Sequence, residues 1–282
     1  MNKTILITGA GSGLGHGTAI GLAKNKHKVI ATVENWPQAS TLISDARQAG
    51  VALTVEKLDY LNKDDHDNIL RKYGEKIDIF CPNAATGETG PIAEIPVDRV
   101  RHVFEVNVFN TLALAQRFAA VFARRGYGKI FFTSSIVGFS TFPFLAPYVA
   151  SKHALEAIVQ LMREEMEGTG VQIATINPGP FRTGFNDRMY DTLDQWYDPA
   201  KNFTPEKPIR DVQKRFSGDE LQLDPQAMID FMVGIIPKDE HKFRNVYPER
   251  FIEDVKEYQA SLWEQRASPK PAEKIQFEQN RQ

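Results

Sequence analysis

Two side chains four residues apart are the first in this sequence that could do chemistry: Tyr148 and Lys152, in Tyr148-Val149-Ala150-Ser151-Lys152. On a helix that spacing stacks them on one face, so an ammonium stands beside a phenol. An unperturbed tyrosine titrates near ~10 and is a poor base at neutral pH. A neighbouring positive charge favours the phenolate and lowers that value. The pair reads as a general base, able to take a proton from an alcohol. Any long helix can also carry the spacing by chance, as a half-buried tyrosine above a solvated lysine. The elements around the pair decide between the two.

The first of those elements is at the amino terminus. Thr4-Ile5-Leu6-Ile7 is a short β-branched run, as expected of a buried parallel strand. Thr8-Gly9-Ala10-Gly11-Ser12-Gly13-Leu14-Gly15 follows at once, and then a helical pattern through Ala19, Ile20, Leu22 and Ala23. Strand, glycine-rich turn and helix in that order present backbone N–H groups and a helix amino terminus to a phosphate. The turn predicts dinucleotide binding at Thr8, Gly9, Gly11, Ser12, Gly13, Leu14 and Gly15.

Strands and helices then alternate. Lys28 to Val33 is a second strand ending at Glu34, and Pro37 opens an amphipathic helix through Leu42, Ile43, Ala46 and Ala49. Val51 to Leu58 is a third strand, closing on Asp59-Tyr60 before a polar helix from Lys63 to Tyr73. Ile77 to Cys81 is a fourth, ending at Pro82-Asn83-Ala84-Ala85. Pro96 precedes a long helical pattern from Val97 to Phe122, with Asn107 on or beside its apolar face. A buried amide there needs a partner. Gly128 to Thr133 is a fifth strand that delivers Ser134 and Ser135. The next helix carries Tyr148 and Lys152, and a sixth strand, Val171 to Ile176, ends at Asn177-Pro178-Gly179-Pro180. The fold class is α/β: a single-domain, doubly wound (Rossmann-type) parallel sheet of about seven strands with helices on both faces. Ligands of such sheets bind at the carboxyl ends of the strands. Glu34, Asp59, Tyr60, Asn83, Ala84 and Ala85 are therefore candidates for cofactor contact.

Bulk properties exclude several classes. Hydrophobic content of 42% and charged content of 25% are those of a soluble globular protein. A net charge of −2 gives no electrostatic reason to expect nucleic acid or a membrane surface as partner. The single cysteine, Cys81, sits in an apolar strand and reads as a packed core residue; it excludes an internal disulfide and a multi-cysteine metal site. The six histidines show no ligand spacing, and no metal is expected. No apolar stretch looks long enough to span a bilayer, and no signal peptide precedes the first strand. A cytoplasmic location is the expectation.

In order and spacing together, the chain resembles the short-chain dehydrogenase/reductase family. The matching residues are Thr8-Gly9-x-x-x-Gly13-x-Gly15, Asn83-Ala84, Asn107, Ser135, Tyr148, Lys152, Pro178-Gly179 and Thr183, within residues 3 to 185. The family's serine lies thirteen residues before its tyrosine, which selects Ser135 over Ser134. Its usual Asn-Asn-Ala-Gly is Pro82-Asn83-Ala84-Ala85 here, so the turn loses its first amide and its glycine. The resemblance implies an NAD(P)-dependent oxidoreductase that interconverts a secondary alcohol and a ketone. In it Tyr148 is the general acid/base, Ser135 holds the substrate oxygen, and Lys152 holds the nicotinamide ribose and depresses the tyrosine pKa. Asn107 would position a water joining Lys152 to solvent. Thr183 and the Pro178-Gly179 turn would hold the nicotinamide carboxamide. The resemblance also suggests a homodimer or homotetramer. NAD is the expected cofactor over NADP, because Ser12 and Glu34 stand where NADP-dependent relatives often place a cation.

Two rival readings use the same fold. One is a non-catalytic, dinucleotide-binding redox sensor, against which Ser135, Tyr148 and Lys152 together argue. The other is a sugar-nucleotide epimerase or dehydratase, against which the glycine spacing and short carboxyl-terminal region count.

After Thr183 the alternation stops. Residues 184 to 224 read as a long loop, either a lid over substrate or a subunit contact. Phe181, Phe185, Met189 and Tyr190, with Phe139, Phe142, Phe144 and Leu145, could wall an apolar pocket for a small-molecule substrate with an apolar part. Pro225 opens a further helix, Phe243 to Tyr247 a last edge strand and Phe251 a last helix. The domain is expected to run from 1 to 267, with a polar tail over 268–282.

Overall fold

Seven strands pair into one sheet in the computed structural model, which describes residues 2–217 and 221–267. The strands are β1 (Thr4–Ile7), β2 (Lys28–Val33), β3 (Thr54–Lys57), β4 (Ile79–Cys81), β5 (Gly128–Thr133), β6 (Val171–Pro178) and β7 (Arg244–Tyr247). Their order is β3-β2-β1-β4-β5-β6-β7, and every pairing is parallel. The chain winds outward in one direction through β3 and in the other from β4, so the switch point lies between β1 and β4. That is where an open α/β sheet leaves a crevice at its carboxyl edge.

The helices between strands are α1 (Gly13–Lys24), α2 (Trp36–Gln48), α3 (Lys63–Tyr73), α4 (Val97–Phe104), α5 (Thr111–Arg125) and α6 (Ala146–Glu165). One apolar layer packs Ile5, Ile7, Val29 and Ala31 of the sheet against Leu22 of α1 and Leu42 of α2. The other packs Leu6, Phe80, Ile130 and Phe132 against Phe118 and Phe122 of α5 and Leu155 of α6. Alternate residues of each strand therefore face opposite layers, as the period of two requires. Cys81 is buried, and burial pushes its thiol up to about 12, as befits a packed core residue.

Two strands are shorter than the sequence suggests. The Val51 N–H donates to Ala46 O and the Ile77 N–H to Tyr73 O, so both residues complete helix ends instead of opening β3 and β4. The membrane reading also needs correcting. The continuous helical run Val97–Arg125, 29 residues, is long and apolar enough to cross a bilayer by length and composition. Half of its most apolar window is buried inside the fold, where Phe118 stacks on Phe80 with ring centroids 4.4 Å apart.

The greatest departure lies in residues 184–224. Expected as a loop, the segment contains α7 (Phe185–Asp191), a 3-10 turn (Thr192–Gln195) and α8 (Glu206–Ser217). Met189, Tyr190, Leu193 and Ile209 bury its apolar side, and single polar side chains anchor its turns. Glu94 accepts from the N–H groups of Phe203 and Thr204 at 2.7 and 2.9 Å. Trp196 Nε1 donates to Thr89 O at 3.3 Å, and its ring lies so close to Gly90 that a Cβ there would come within 2.1 Å. The far end is held by Leu223 N–H donating to Pro180 O and Arg182 N–H to Leu223 O. Beyond it come α9 (Pro225–Ile235) and α10 (Phe251–Leu262). The polar tail expected over 268–282 lies outside the described residues.

Candidate active site

The glycine turn is built on the register of β1 with β4. Ile7 pairs with Cys81, which sets Thr8 beside Asn83. The Thr8 hydroxyl accepts from the N–H groups of Asn83 and Ala84 at 2.9 and 3.1 Å. With both lone pairs used, its proton goes to the Tyr60 hydroxyl, 2.7 Å away. Asn83 Nδ2 returns to Thr8 O at 3.0 Å. Gly9 has φ +66 and a Cβ there would lie 2.6 Å from Ala84 Cα, so only glycine fits. Thr8 and Tyr60, expected to touch cofactor, thus tie loops together through their hydroxyls. Thr8 is fully buried and does not line the cavity.

The register of β5 with β6 does the same for the reacting end. Thr133 pairs with Ile176, and the Ser134 N–H donates to Ile176 O at 2.8 Å. Ser135 follows in extended conformation, its Oγ donating to Pro178 O at 3.4 Å and accepting from Val137 N–H at 3.3 Å. Tyr148 and Lys152 stand one turn apart near the start of α6, with the Lys152 Nζ 5.7 Å from the Tyr148 ring centroid. Lys152 Nζ donates to Thr133 O at 3.0 Å. Ser135 stands close enough to Tyr148 to lower the pKa of its phenol.

The electrostatics differ from the expectation for this pair. Burial pushes the Tyr148 phenol up to about 12, against the lowering effect of Ser135. Burial brings Lys152 down to about 8, opposed by the Glu156 carboxylate. The spacing predicts that Lys152 depresses the tyrosine, whereas desolvation of the phenol sets the direction here.

Asn107 is held by protein groups. It lies in a π-helical stretch, Glu105–Asn110, between α4 and α5. Its Oδ1 accepts from Thr86 N–H at 2.9 Å, and its Nδ2 donates to Thr86 O at 2.8 Å and to Ser151 Oγ at 3.0 Å. Ser151 Oγ donates to Tyr148 O at 2.7 Å. The amide does have the partners its burial demands, but they are protein groups. Both its N–H donors are engaged, so the side chain clamps the loop after β4 to the turn carrying Tyr148.

One cavity of about 1070 Å³ joins these parts. Gly9, Gly11, Ser12, Gly13, Leu14, Gly15, Glu34 and Asp59 line one arm, with Tyr60, Asn83, Ala84 and Ala85. Ser135, Tyr148, Lys152, Pro178, Gly179 and Thr183 line the middle. The other arm is apolar, with Phe142, Leu145, Phe185, Met189, Tyr190 and Phe216. Of the expected catalytic and cofactor residues, only Thr8 and Asn107 are outside its wall; of the expected apolar wall, Phe139 and Phe144 are outside it as well. The sequence reading missed Gln38, whose Oε1 accepts from Glu34 N–H at 3.0 Å beside Gly11, and Tyr258 of α10, whose hydroxyl meets Thr141 Oγ1 at 2.5 Å. Neither carries a motif; α10 reaches the cavity only through the fold.

The first arm fits a dinucleotide. Helix α1 has no side-chain cap and no acid in its first turn. Its first N–H groups therefore have no capping side chain, at a place lined by Ser12, Gly13 and Leu14. That arrangement suits a phosphate.

Comparison with known proteins agrees. The family model described as short chain dehydrogenase matches residues 3–194. The chain belongs to the short-chain dehydrogenase/reductase family. An uncharacterized oxidoreductase of Bacillus subtilis, YusZ, is 32% identical over 250 residues, 84% of this chain and 86% of its own. Human retinol dehydrogenase 8 is 30% identical over 191 residues, 66% of this chain and 61% of its own. A short chain dehydrogenase/reductase from Burkholderia phymatum in complex with NAD superposes with a TM-score of 0.78 at 22% identity, covering 96% of this chain and 98% of that one. One from Sphingobium yanoikuyae in complex with NADPH gives 0.71 at 20%, covering 95% and 98%. The protein is thus a short-chain dehydrogenase/reductase enzyme, of a family that binds NAD(P) and acts on alcohol and carbonyl substrates. The redox-sensor and epimerase readings are not favoured.

Proposed function

We propose that this enzyme interconverts a secondary alcohol and a ketone with an apolar body, with Tyr148 as the proton-transferring group. The observation that carries the reading is the convergence of Ser135, Tyr148 and Lys152 at the junction of a phosphate-suited arm and an apolar arm of one cavity. A nicotinamide dinucleotide, when bound, supplies or accepts the hydride.

The chain's own residues supply the rest. Ser135 Oγ, beside the Tyr148 hydroxyl, donates to the substrate oxygen as negative charge develops there. Tyr148, held protonated by burial, gives its proton to that oxygen in ketone reduction and takes it back in alcohol oxidation. Lys152, its ammonium anchored on Thr133 O, is placed to hold the ribose hydroxyls and to stabilise the phenolate left by proton transfer. Phe185, with its ring 5.2 Å from that of Tyr148, excludes water from the reacting face. Glu34 stands at the end of β2 on the cavity wall, where a carboxylate accepts hydrogen bonds from ribose hydroxyls and repels a 2′-phosphate; this supports NAD over NADP. Helices α7 and α8 form the roof of the apolar arm and act as the substrate lid.

The test is a panel of 2-ketones of increasing chain length, with consumption of NADH and of NADPH followed by absorbance. Turnover that grows with chain length supports the reading. No turnover of any ketone or secondary alcohol with either cofactor removes it.

A further inference from the structure

Helix α7 lays a cation on the glycine turn. Arg188 donates from Nη2 to Ser12 Oγ at 3.4 Å, across 176 residues of sequence. Two glycines permit the approach. Gly184 has φ +71, and a Cβ there would stand 3.0 Å from Arg188 Nη1. Gly13 has φ +58, and a Cβ there would stand 3.1 Å from Thr183 Cβ. The Thr183-Gly184 turn therefore rests on the glycine turn with little side chain between them.

Among the described residues this guanidinium has one hydrogen bond, to a neutral hydroxyl, and no carboxylate partner. Nearby, Lys57 is paired with Asp65 at 2.6 Å, and His16 lies 3.1 Å from Asp45. A free fork of donors beside the uncapped amino terminus of α1 makes a two-sided anion seat. We propose that Arg188 binds a phosphate group of the dinucleotide, and that this contact fastens α7, with Met189 and Tyr190, over the substrate arm. The proposal rests on the dinucleotide reading above. Pyrophosphate and 2′-phosphate offer the same chemistry, and the experiment separates them.

Binding of NADH and NADPH is titrated by fluorescence, at low and high salt, to the wild type, Arg188→Gln and Arg188→Lys, each shown folded by an unchanged melting temperature. Loss of a charge-assisted bond at a partly solvated site is expected to weaken binding about tenfold and to flatten the salt dependence. Arg188→Lys, which keeps the charge, is expected to retain most of the affinity. An equal loss for both cofactors assigns the pyrophosphate; a loss confined to NADPH assigns the 2′-phosphate. Wild-type affinity in Arg188→Gln for both cofactors overturns the proposal alone. Equal losses in the Gln and Lys variants also overturn it, because charge is then irrelevant. A wild type that binds neither cofactor overturns the proposal and the dinucleotide reading together.

Discussion

Glu156 and Lys152 stand one helical turn apart on the buried face of α6, at 3% and 2% exposure. The Glu156 carboxylate accepts from Asn177 Nδ2 at 2.5 Å and from Arg244 Nε at 3.2 Å, while Lys152 donates to Thr133 O. Asn177 in turn donates to Ser135 O at 3.4 Å. A buried acid thus stands between Lys152 and the strand end that carries Ser135.

The link has a pH signature. Lys152 is charged below its pKa of about 8, and Glu156 holds that value up against burial. The charges facing Glu156 are Lys152 on its own helix and Arg244 from β7. Glu156→Gln removes the negative charge but keeps an acceptor for Asn177. Lys152 then loses its proton at lower pH, so the alkaline fall of ketone reduction moves downward. A pH profile of kcat/KM measures this, and an unmoved midpoint separates Glu156 from the lysine. Arg244 loses its acid, so stability in urea is expected to fall by about 1–3 kcal/mol.

Tyr148→Phe keeps the ring and its packing against Phe185 and removes the transferable proton. Turnover is expected to fall at least ~10²-fold, the scale of a positioned acid/base, with cofactor still bound. Because burial holds the phenol protonated, alcohol oxidation by the wild type is expected to speed up as pH rises, while reduction needs no such rise. Near-normal turnover of the phenylalanine variant takes Tyr148 out of the mechanism.

Asn107→Leu tests the clamp. It leaves the Thr86 N–H and C=O without their side-chain partner and takes a donor from Ser151. An unsatisfied buried group costs about 1–3 kcal/mol, so the urea midpoint is expected to drop clearly. Protease sensitivity around Thr86 should rise with it. A variant as stable as the wild type would show that the amide does not hold this loop.

Much of this site is legible in the sequence because strand ends and glycine turns are local signals. Thr4–Ile7 followed by the glycines, and Gly128–Thr133 followed by Ser135, put the chemistry at the carboxyl edge without any knowledge of contacts. The unread part depends on register and on single side chains. Nothing in the spacing of Thr8 and Tyr60 shows that their hydroxyls meet, because β1–β4 pairing and the turn after β3 bring them together. The helices of residues 184–224 are short, and the turns around them are held by Glu94, Trp196 and Thr192 at isolated positions, although Ile209, Val212 and Phe216 do give α8 an apolar stripe. Lys152 looks able to lower the tyrosine pKa because sequence gives spacing but not burial, and burial decides the sign.

The apolar arm gives the last prediction. Phe142, from the loop after β5, meets Phe216 of α8 edge to face, with ring centroids 5.2 Å apart. Both rings line the cavity. A long apolar substrate must lie against it, whereas a short ketone at Ser135 and Tyr148 has no need to reach it. Full burial of a phenylalanine side chain is worth roughly 1.5–3 kcal/mol, and at a partly open rim the ring contributes about half of that. Phe216→Ala is therefore expected to raise KM for a long-chain 2-ketone about tenfold with little change in kcat, because the interaction is uniform between ground and transition states. KM for a four-carbon ketone should stay put. Equal changes for long and short ketones would place the substrate elsewhere and leave the aromatic pair as packing between α8 and the loop.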